Sequence, residues 1–314
     1  LRIAVVMDPI ESVRLDHDTT YALIREAARR GHEVFHVAPA GVAAREGLAW
    51  LSGRPLDCAD RLAFAGPTRP FQRNDLDAVL IRTDPPFDAD YLAVTHLLDL
   101  LPPRVVVLNR PAGLRDANEK LAALHFPDVT PPTLVSSDPA ALDDFREAIG
   151  GEAVAKPIDG HGGAGVLLVR GDDPNRRALW QAVTRGGKAK AIAQQVVPGH
   201  EAGDARILLL DGRPIGAVLR RSATGAFVHN LAAGGAALPY RLTESDRLIC
   251  DRVGPWLRDR GLWFVGIDVV GGWLIEINVT SPTGLQEASR FAGRDLAAPV
   301  IDSLEVRVEA AVDD

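Results

Sequence analysis

The chain has 314 residues, 46% hydrophobic and 25% charged, close to an average globular composition, so neither a disordered nor a collagen-like chain fits it. Its net charge of −7 argues against non-specific nucleic-acid binding, and no apolar run approaches a transmembrane span, so neither a nucleic-acid nor a membrane partner is expected. Cys58 and Cys250, its only cysteines, lie too far apart for a CxxC site, which points to a reducing cytoplasm.

The first third reads as an α/β unit. An apolar strand over Arg2–Met7, an amphipathic helix from Thr19 to Arg30 closed by Gly31, and a strand over Glu33–Val37 open the chain without a GxGxxG turn, so a dinucleotide site is not expected. His32-Glu33-Val34-Phe35-His36 spells HExxH, but it follows the helix and falls on a strand, where its histidines would stand roughly 13 Å apart, so we reject a zinc site. After a turn-rich stretch, a strand over Asp77–Arg82 runs into Asp84-Pro85-Pro86, which exposes Arg82 and Asp84 at the strand's carboxyl end, where open α/β sheets bind ligands. A helix over Asp88–Leu100, a strand over Arg104–Leu108 and a linker over Asn109–Gly113 complete the unit.

The pattern then turns α+β. Asp116 is expected to cap a helix with Glu119 as its capping-box partner, placing Lys120 in the first turn. A strand near Thr133–Val135, a helix over Pro139–Ile149 and a strand over Glu152–Lys156 lead to a loop containing Gly160, Gly162, Gly163 and Gly165, whose bare N–H groups can lie over phosphate oxygens. A strand over Val166–Arg170, a helix over Asn175–Thr184 and a strand over Ala191–Val197 follow. Of 35 basic residues only Lys120, Lys156, Lys188 and Lys190 are lysines; a lysine kept against such a bias suits a crowded phosphate site, whereas Lys188 and Lys190, among glycines, read as solvated.

The last third begins with strands over Asp204–Leu210 and Pro214–Arg220 joined by Asp211-Gly212. Ser222–Gly235 is small, Gly/Ala-rich and aperiodic, and is expected to be a mobile flap. A helix over Thr243–Arg260, capped by Thr243 with Asp246 and interrupted at Pro255, leads to a hairpin over Val265–Pro282, and a terminal helix is expected over Leu296–Ala311. In the hairpin, a three-residue loop Gly271-Gly272-Trp273 would set Asp268 opposite Glu276, and alternation would place Leu274, Glu276 and Asn278 on one face. Two carboxylates and an amide carbonyl converging there suit Mg²⁺.

These blocks resemble the ATP-grasp superfamily and, within it, the bacterial glutathione synthetase family, nearly end to end. Met7-Asp8-Pro9-Ile10, Arg82-Thr83-Asp84-Pro85-Pro86-Phe87-Asp88, Arg115-Asp116-Ala117-Asn118-Glu119-Lys120-Leu121, Lys156-Pro157-Ile158-Asp159-Gly160, Asn230-Leu231-Ala232-Ala233-Gly234-Gly235 and Glu276-Ile277-Asn278-Val279-Thr280-Ser281-Pro282-Thr283 carry the likeness. The resemblance implies an ATP-grasp fold with a Rossmann-like N-terminal domain over 1–115, a central lid domain over 116–198 and a catalytic domain over 199–314. It implies ligation of γ-glutamylcysteine to glycine with ATP cleaved to ADP and phosphate, and a homotetramer or homodimer. Lys120 and Lys156 would contact phosphates; Gly160, Gly162, Gly163, Gln194, Gln195, Val196 and Val197 would hold ATP; Asp268, Glu276 and Asn278 would hold Mg²⁺, with Mn²⁺ as the alternative. Arg206 and Arg221 would neutralise the transferring phosphoryl group, and Arg82, Asp84, Asn230 and Ser281 would meet substrate. Val228-His229, Gln286 and Thr83 depart from the family's usual residues, which leaves a sister ligase with another carboxylate or amine as the alternative.

Overall fold

The computed structural model describes residues 1–58, 61–72, 75–222 and 235–313. In the first region the elements run β1 (Arg2–Val6), α1 (Thr19–Arg29), β2 (Glu33–Val37), β3 (Val42–Arg45), β4 (Leu48–Asp57), β5 (Ala63–Phe64), β6 (Arg69–Pro70), β7 (Ala78–Ile81), α2 (Ala89–Leu98), β8 (Val106–Leu108) and α3 (Pro111–Asp116). β1 pairs in parallel with β2 and β7, and β7 with β8, giving the expected α/β arrangement. The stretch read as turn-rich instead carries β3 to β6, added antiparallel beyond β2; Gly53 and Pro55 sit within β4, where they hid the strand pattern.

The central region holds β9 (Thr133–Ser136), α4 (Pro139–Ala148), β10 (Glu152–Pro157), β11 (Leu167–Arg170), α5 (Arg176–Val183) and β12 (Ala191–Gln195), with an antiparallel sheet in the order β11-β10-β12-β9. The last region holds β13 (Asp204–Leu210), β14 (Arg213–Arg221), β15 (Ala236–Pro239), α6 (Glu244–Asp259), β16 (Phe264–Val270), β17 (Trp273–Asn278), α7 (Leu285–Ala292) and α8 (Ala297–Asp313), with sheet order β15-β14-β13-β16-β17. No helix among the described residues is long and apolar enough to cross a membrane.

The first and last sheets share their cores: Val6, Phe35 and Val79 belong to one apolar cluster with Ile207, Leu209 and Ile267, and Ile3, Val5 and Leu80 to another with Leu208, Phe264 and Leu304. The central sheet has a core of its own around Leu142, Val169 and Trp180. Asn109, expected in a linker, is a buried clamp: its Nδ2 donates to the carbonyls of Phe264 and Val279 at 2.8 Å, and its Oδ1 accepts from the backbone of Trp263 and Phe264.

Two helix expectations fail at their ends. No helix begins at Asp116; Pro111 occupies the first turn of α3, which ends there, because proline fits a position whose N–H needs no partner. α6 has the expected Thr243–Asp246 capping box but runs through Pro255, since the buried stripe Ile249, Val253 and Leu257 outweighs one lost hydrogen bond.

Of the expected flap, residues 223–234 lie outside the described residues, and with them Val228, His229 and Asn230.

Candidate active site

The β16–β17 hairpin sets the geometry. Asp268 does stand opposite Glu276, but not through a three-residue loop: Val270 pairs with Trp273 across a two-residue turn, and a bulge follows between Asp268 and Val269. Gly271 and Gly272 both take positive φ, +53° and +83°, as a tight hairpin turn of matching twist requires. The bulge places Ile275 as the extra residue, so Leu274 turns into the core with Ile277 and Val279, while Ile275 joins Glu276 and Asn278 on a cavity wall. The alternation expected across this strand is therefore corrected by one position at its start.

That cavity, about 370 Å³, lies between the three sheets and gathers most of the expected residues. Lys120, Lys156, Arg206, Asp268, Glu276 and Asn278 line it, as do Gly160, Gly162 and Gly163 at the β10–β11 tip. Gln194 and Gln195 border it from β12 and Val197 from just past its end, and Asp84 and Ser281 from the side of the first sheet. Val196 is not among its lining residues.

Asp268 is the electrostatic centre. Its carboxylate accepts from Arg206 Nε at 2.6 Å and Nη2 at 3.1 Å, and pairs with Arg220 Nη2 at 2.9 Å. Arg220 in turn grips Asp204 with Nε and Nη2 at 2.6 and 2.7 Å. Burial would raise the Asp268 carboxyl, but the two guanidinium groups hold it well below the usual carboxylate range.

Lys120 does not sit in a helical turn. Asn118 Oδ1 accepts from the backbone N–H groups of Lys120 and Leu121 in an Asx turn, and Glu119, instead of capping, accepts from the N–H groups of Val279 and Thr280 and from the Thr280 hydroxyl. Glu119 thus fastens the segment carrying Lys120 to the end of β17. From there Lys120 Nζ reaches Glu276 Oε1 at 3.1 Å and the carbonyl of Gly160. Lys156 Nζ donates to Gln194 Oε1 at 2.7 Å. Burial lowers the Lys156 pKa to about 8; Glu276 opposes the shift and the Lys120 charge adds to it.

Besides Val196, two expected residues lie outside the cavity lining. Arg221 is exposed, donating from Nε to the Ala202 carbonyl at 3.1 Å. Arg82 is buried beside the cavity, with Nε on the Thr20 hydroxyl and Nη2 on the Pro282 carbonyl. Asn230 lies outside the described residues. Gln286 Nε2 donates to the carbonyls of Leu15 and Asp18, so its amide is spent on a loop.

Arg220, Asp204 and Glu119 line the cavity but escaped the sequence reading. No sequence signal marked the first two: the Asp211-Gly212 turn alone would set Asp204 opposite Leu219, and a bulge between Leu208 and Leu209 shifts the register so that Arg220 stands opposite Asp204, with Arg221 on the other face of β14.

Known proteins identify the family. Residues 1–115 match the family described as prokaryotic glutathione synthetase, N-terminal domain, and residues 119–293 match its ATP-grasp domain. The chain belongs to the prokaryotic glutathione synthetase family. A glutathione synthetase of Xanthomonas campestris pv. campestris is 43% identical over 310 residues, 97% of this chain and 98% of its own length. One from Brucella melitensis biotype 1 is 39% identical over 311 residues, 98% of this chain and 99% of its own. Among solved structures, a RimK domain ATP-grasp protein of Sphaerobacter thermophilus superposes with a TM-score of 0.63 at 20% identity, covering 96% of this chain and 98% of that one. A D-cycloserine synthetase does so at 0.65 and 17% identity, covering 99% and 98%. At those identities they attest the ATP-grasp fold. A prokaryotic glutathione synthetase with this fold is an ATP-dependent ligase that forms an amide bond.

Proposed function

We propose that the chain joins γ-glutamylcysteine to glycine through an acyl phosphate, with release of ADP and phosphate. The observation that carries the reading is the convergence of Lys120, Lys156, Arg206 and Arg220 on one cavity also walled by Asp268, Glu276 and Asn278. A carboxylate is a poor electrophile. ATP converts one of its oxygens into a leaving group, and the protein's task is to hold several anions together in line.

Lys120 and Lys156 supply compact positive charge for the ATP phosphates, and the Gly160–Gly163 tip brings bare backbone toward them. Arg206 and Arg220 stand where charge builds on the phosphoryl group in transfer; we assign to Arg220 the place expected for Arg221. Glycine's amine then displaces the phosphate, completing the amide.

The residues fit a divalent cation. Asp268, Glu276 and the Asn278 amide carbonyl present hard oxygen donors, while Asn278 Nδ2, a donor buried without a partner, suits an acceptor such as a phosphate oxygen beside the cation. Two carboxylates and one amide oxygen suit Mg²⁺, an ion that fills the rest of its shell with phosphate oxygens and water. When bound it would neutralise phosphate charge and orient the transferring group.

The test is phosphate release with ATP, Mg²⁺, γ-glutamylcysteine and glycine, omitting each in turn. Full turnover is expected only with all four. No release above the ATP-only background would sink this choice of substrates and leave a sister ligase of the same family.

A further inference from the structure

The three carboxylates on the wall of the active cavity are unequally matched. Asp268 has both oxygens taken, by Arg206 and Arg220, and Glu276 Oε1 meets Lys120 Nζ. Glu119 lines the same cavity and forms no ion pair among the described residues. Its two oxygens also differ. Oε1 accepts from the N–H groups of Val279 and Thr280 at 2.9 and 3.0 Å and from the Thr280 hydroxyl at 2.8 Å. Oε2 accepts from no described donor and, unlike Asn278 Nδ2, is not sealed off.

A structural tie accounts for only one of these oxygens. A glutamine would offer the same acceptor to the same three donors without bringing a negative charge. Burial, and after it the Glu276 charge, raise the Glu119 pKa against those hydrogen bonds, which lower it, so the chain by itself holds this charge at a cost. The residue is also fixed on both sides of the cation ligands proposed above. Its carbonyl accepts from the Ile277 N–H at 3.0 Å, between Glu276 and Asn278, and its Oε1 is held just beyond them. Mg²⁺ keeps several of its waters, and a water polarised by the ion is a strong donor for an open carboxylate oxygen.

We propose that Glu119 is a positioning residue for the cation: Oε2 accepts from a water of the Mg²⁺ that Glu276 and Asn278 hold, while Oε1 keeps the Lys120 segment in register on β17. The inference rests on the ligase reading above and adds to it an anchor outside the ion's direct ligands. Partners of that kind orient the ligand shell, and their loss typically weakens metal binding about 10–100-fold.

Glu119→Gln separates the two oxygens. Its NH₂ group cannot face three donors, so the amide oxygen keeps the place of Oε1, and only the open oxygen is exchanged, for a donor that repels a metal-bound water. Calorimetry on the full chain gives the Kd of the β,γ-imido analogue of ATP with excess Mg²⁺ and with EDTA. Comparing the ratio of the two between enzymes cancels the ion's affinity for free nucleotide. In Glu119→Gln this Mg²⁺ advantage should fall about tenfold, with the Kd in EDTA unchanged or tighter and the melting temperature not lowered. Thr280→Val removes one donor from Oε1 and leaves Oε2 in place, so it should melt lower yet keep the Mg²⁺ advantage within about twofold of wild type. A Mg²⁺ advantage within about twofold of wild type in Glu119→Gln would overturn the assignment. Equal weakening of both Kd values, or a loss in Thr280→Val as large as in Glu119→Gln, would do the same and leave Glu119 a brace for Lys120. Wild-type binding that ignores Mg²⁺ would overturn the cation site together with this inference, whereas a failure of the substrates chosen above would leave these binding ratios untouched.

Discussion

Two glycine-bearing hairpins line the active cavity and use glycine for opposite ends. In the β16–β17 hairpin, Gly271 and Gly272 only turn the chain, and the chemistry sits on the strands, in Asp268, Glu276 and Asn278. In the β10–β11 hairpin, the tip itself is the working surface: Gly160, Gly162 and Gly163 face the cavity beside Lys156. The first hairpin is rooted in cores shared by two sheets, the second in the small separate core of the central sheet. In the function proposed above, side chains that hold charge at fixed distances stand on the part with most packing behind it, and the backbone assigned to the phosphates stands on the part with least.

The contrast can be broken most strongly at Lys156. Lys156→Met should lower kcat/KM for ATP by about a hundredfold to a thousandfold, and Lys156→Arg, though it keeps the charge, should also impair ATP use badly, because a planar guanidinium is too broad for a site built around an ammonium. Activity of the arginine enzyme within about twofold of wild type would defeat this account of the site. At the glycine tip, Gly163→Ala places a side chain on a residue at φ +82° and should raise the KM for ATP about tenfold.

The pKa of Lys156 gives a pH test. At about 8, the amine is mostly protonated at pH 7 and mostly neutral at pH 9, so ATP should bind with proton uptake above pH 7 and its Kd should weaken about tenfold between those values. Calorimetry in buffers of different ionisation enthalpy reads both quantities, and Lys156→Met should flatten the slope. At the structural turn, Gly271→Ala would set a Cβ 2.7 Å from the Pro198 carbonyl and from Val197 Cγ1. It should cost about 1–3 kcal/mol of stability in denaturant unfolding while leaving kcat unchanged well below the melting transition. A kinetic loss there as large as at Gly163 would erase the distinction between the hairpins.

Much of this was legible because its signals are local. Apolar periodicity marked β1, α1 and β13, the Thr243–Asp246 box marked the start of α6, and convergence of Asp268 with Glu276 followed from their being on two strands of one hairpin. What escaped depended on contacts between distant segments. Glu119 has the spacing of a capping-box residue but is taken by Val279 and Thr280, 160 and 161 positions away. The bulge at Ile275 leaves no mark in a run of β-formers, yet decides which face Leu274 takes. The choice between Arg220 and Arg221 turned on the bulge between Leu208 and Leu209, since parity counted from the Asp211-Gly212 turn alone would put Arg221 on the face of Asp204 and Arg206.

The central claim is that the donor's carboxylate is phosphorylated before the amide forms. The most direct measurement gives the enzyme ATP, Mg²⁺, glycine and γ-glutamylcysteine labelled with ¹⁸O in its cysteinyl carboxylate, and analyses the released phosphate by mass spectrometry. An acyl phosphate transfers one labelled oxygen to each phosphate released and leaves the other in the new amide carbonyl. Unlabelled phosphate accompanying a fully formed amide product would contradict the account.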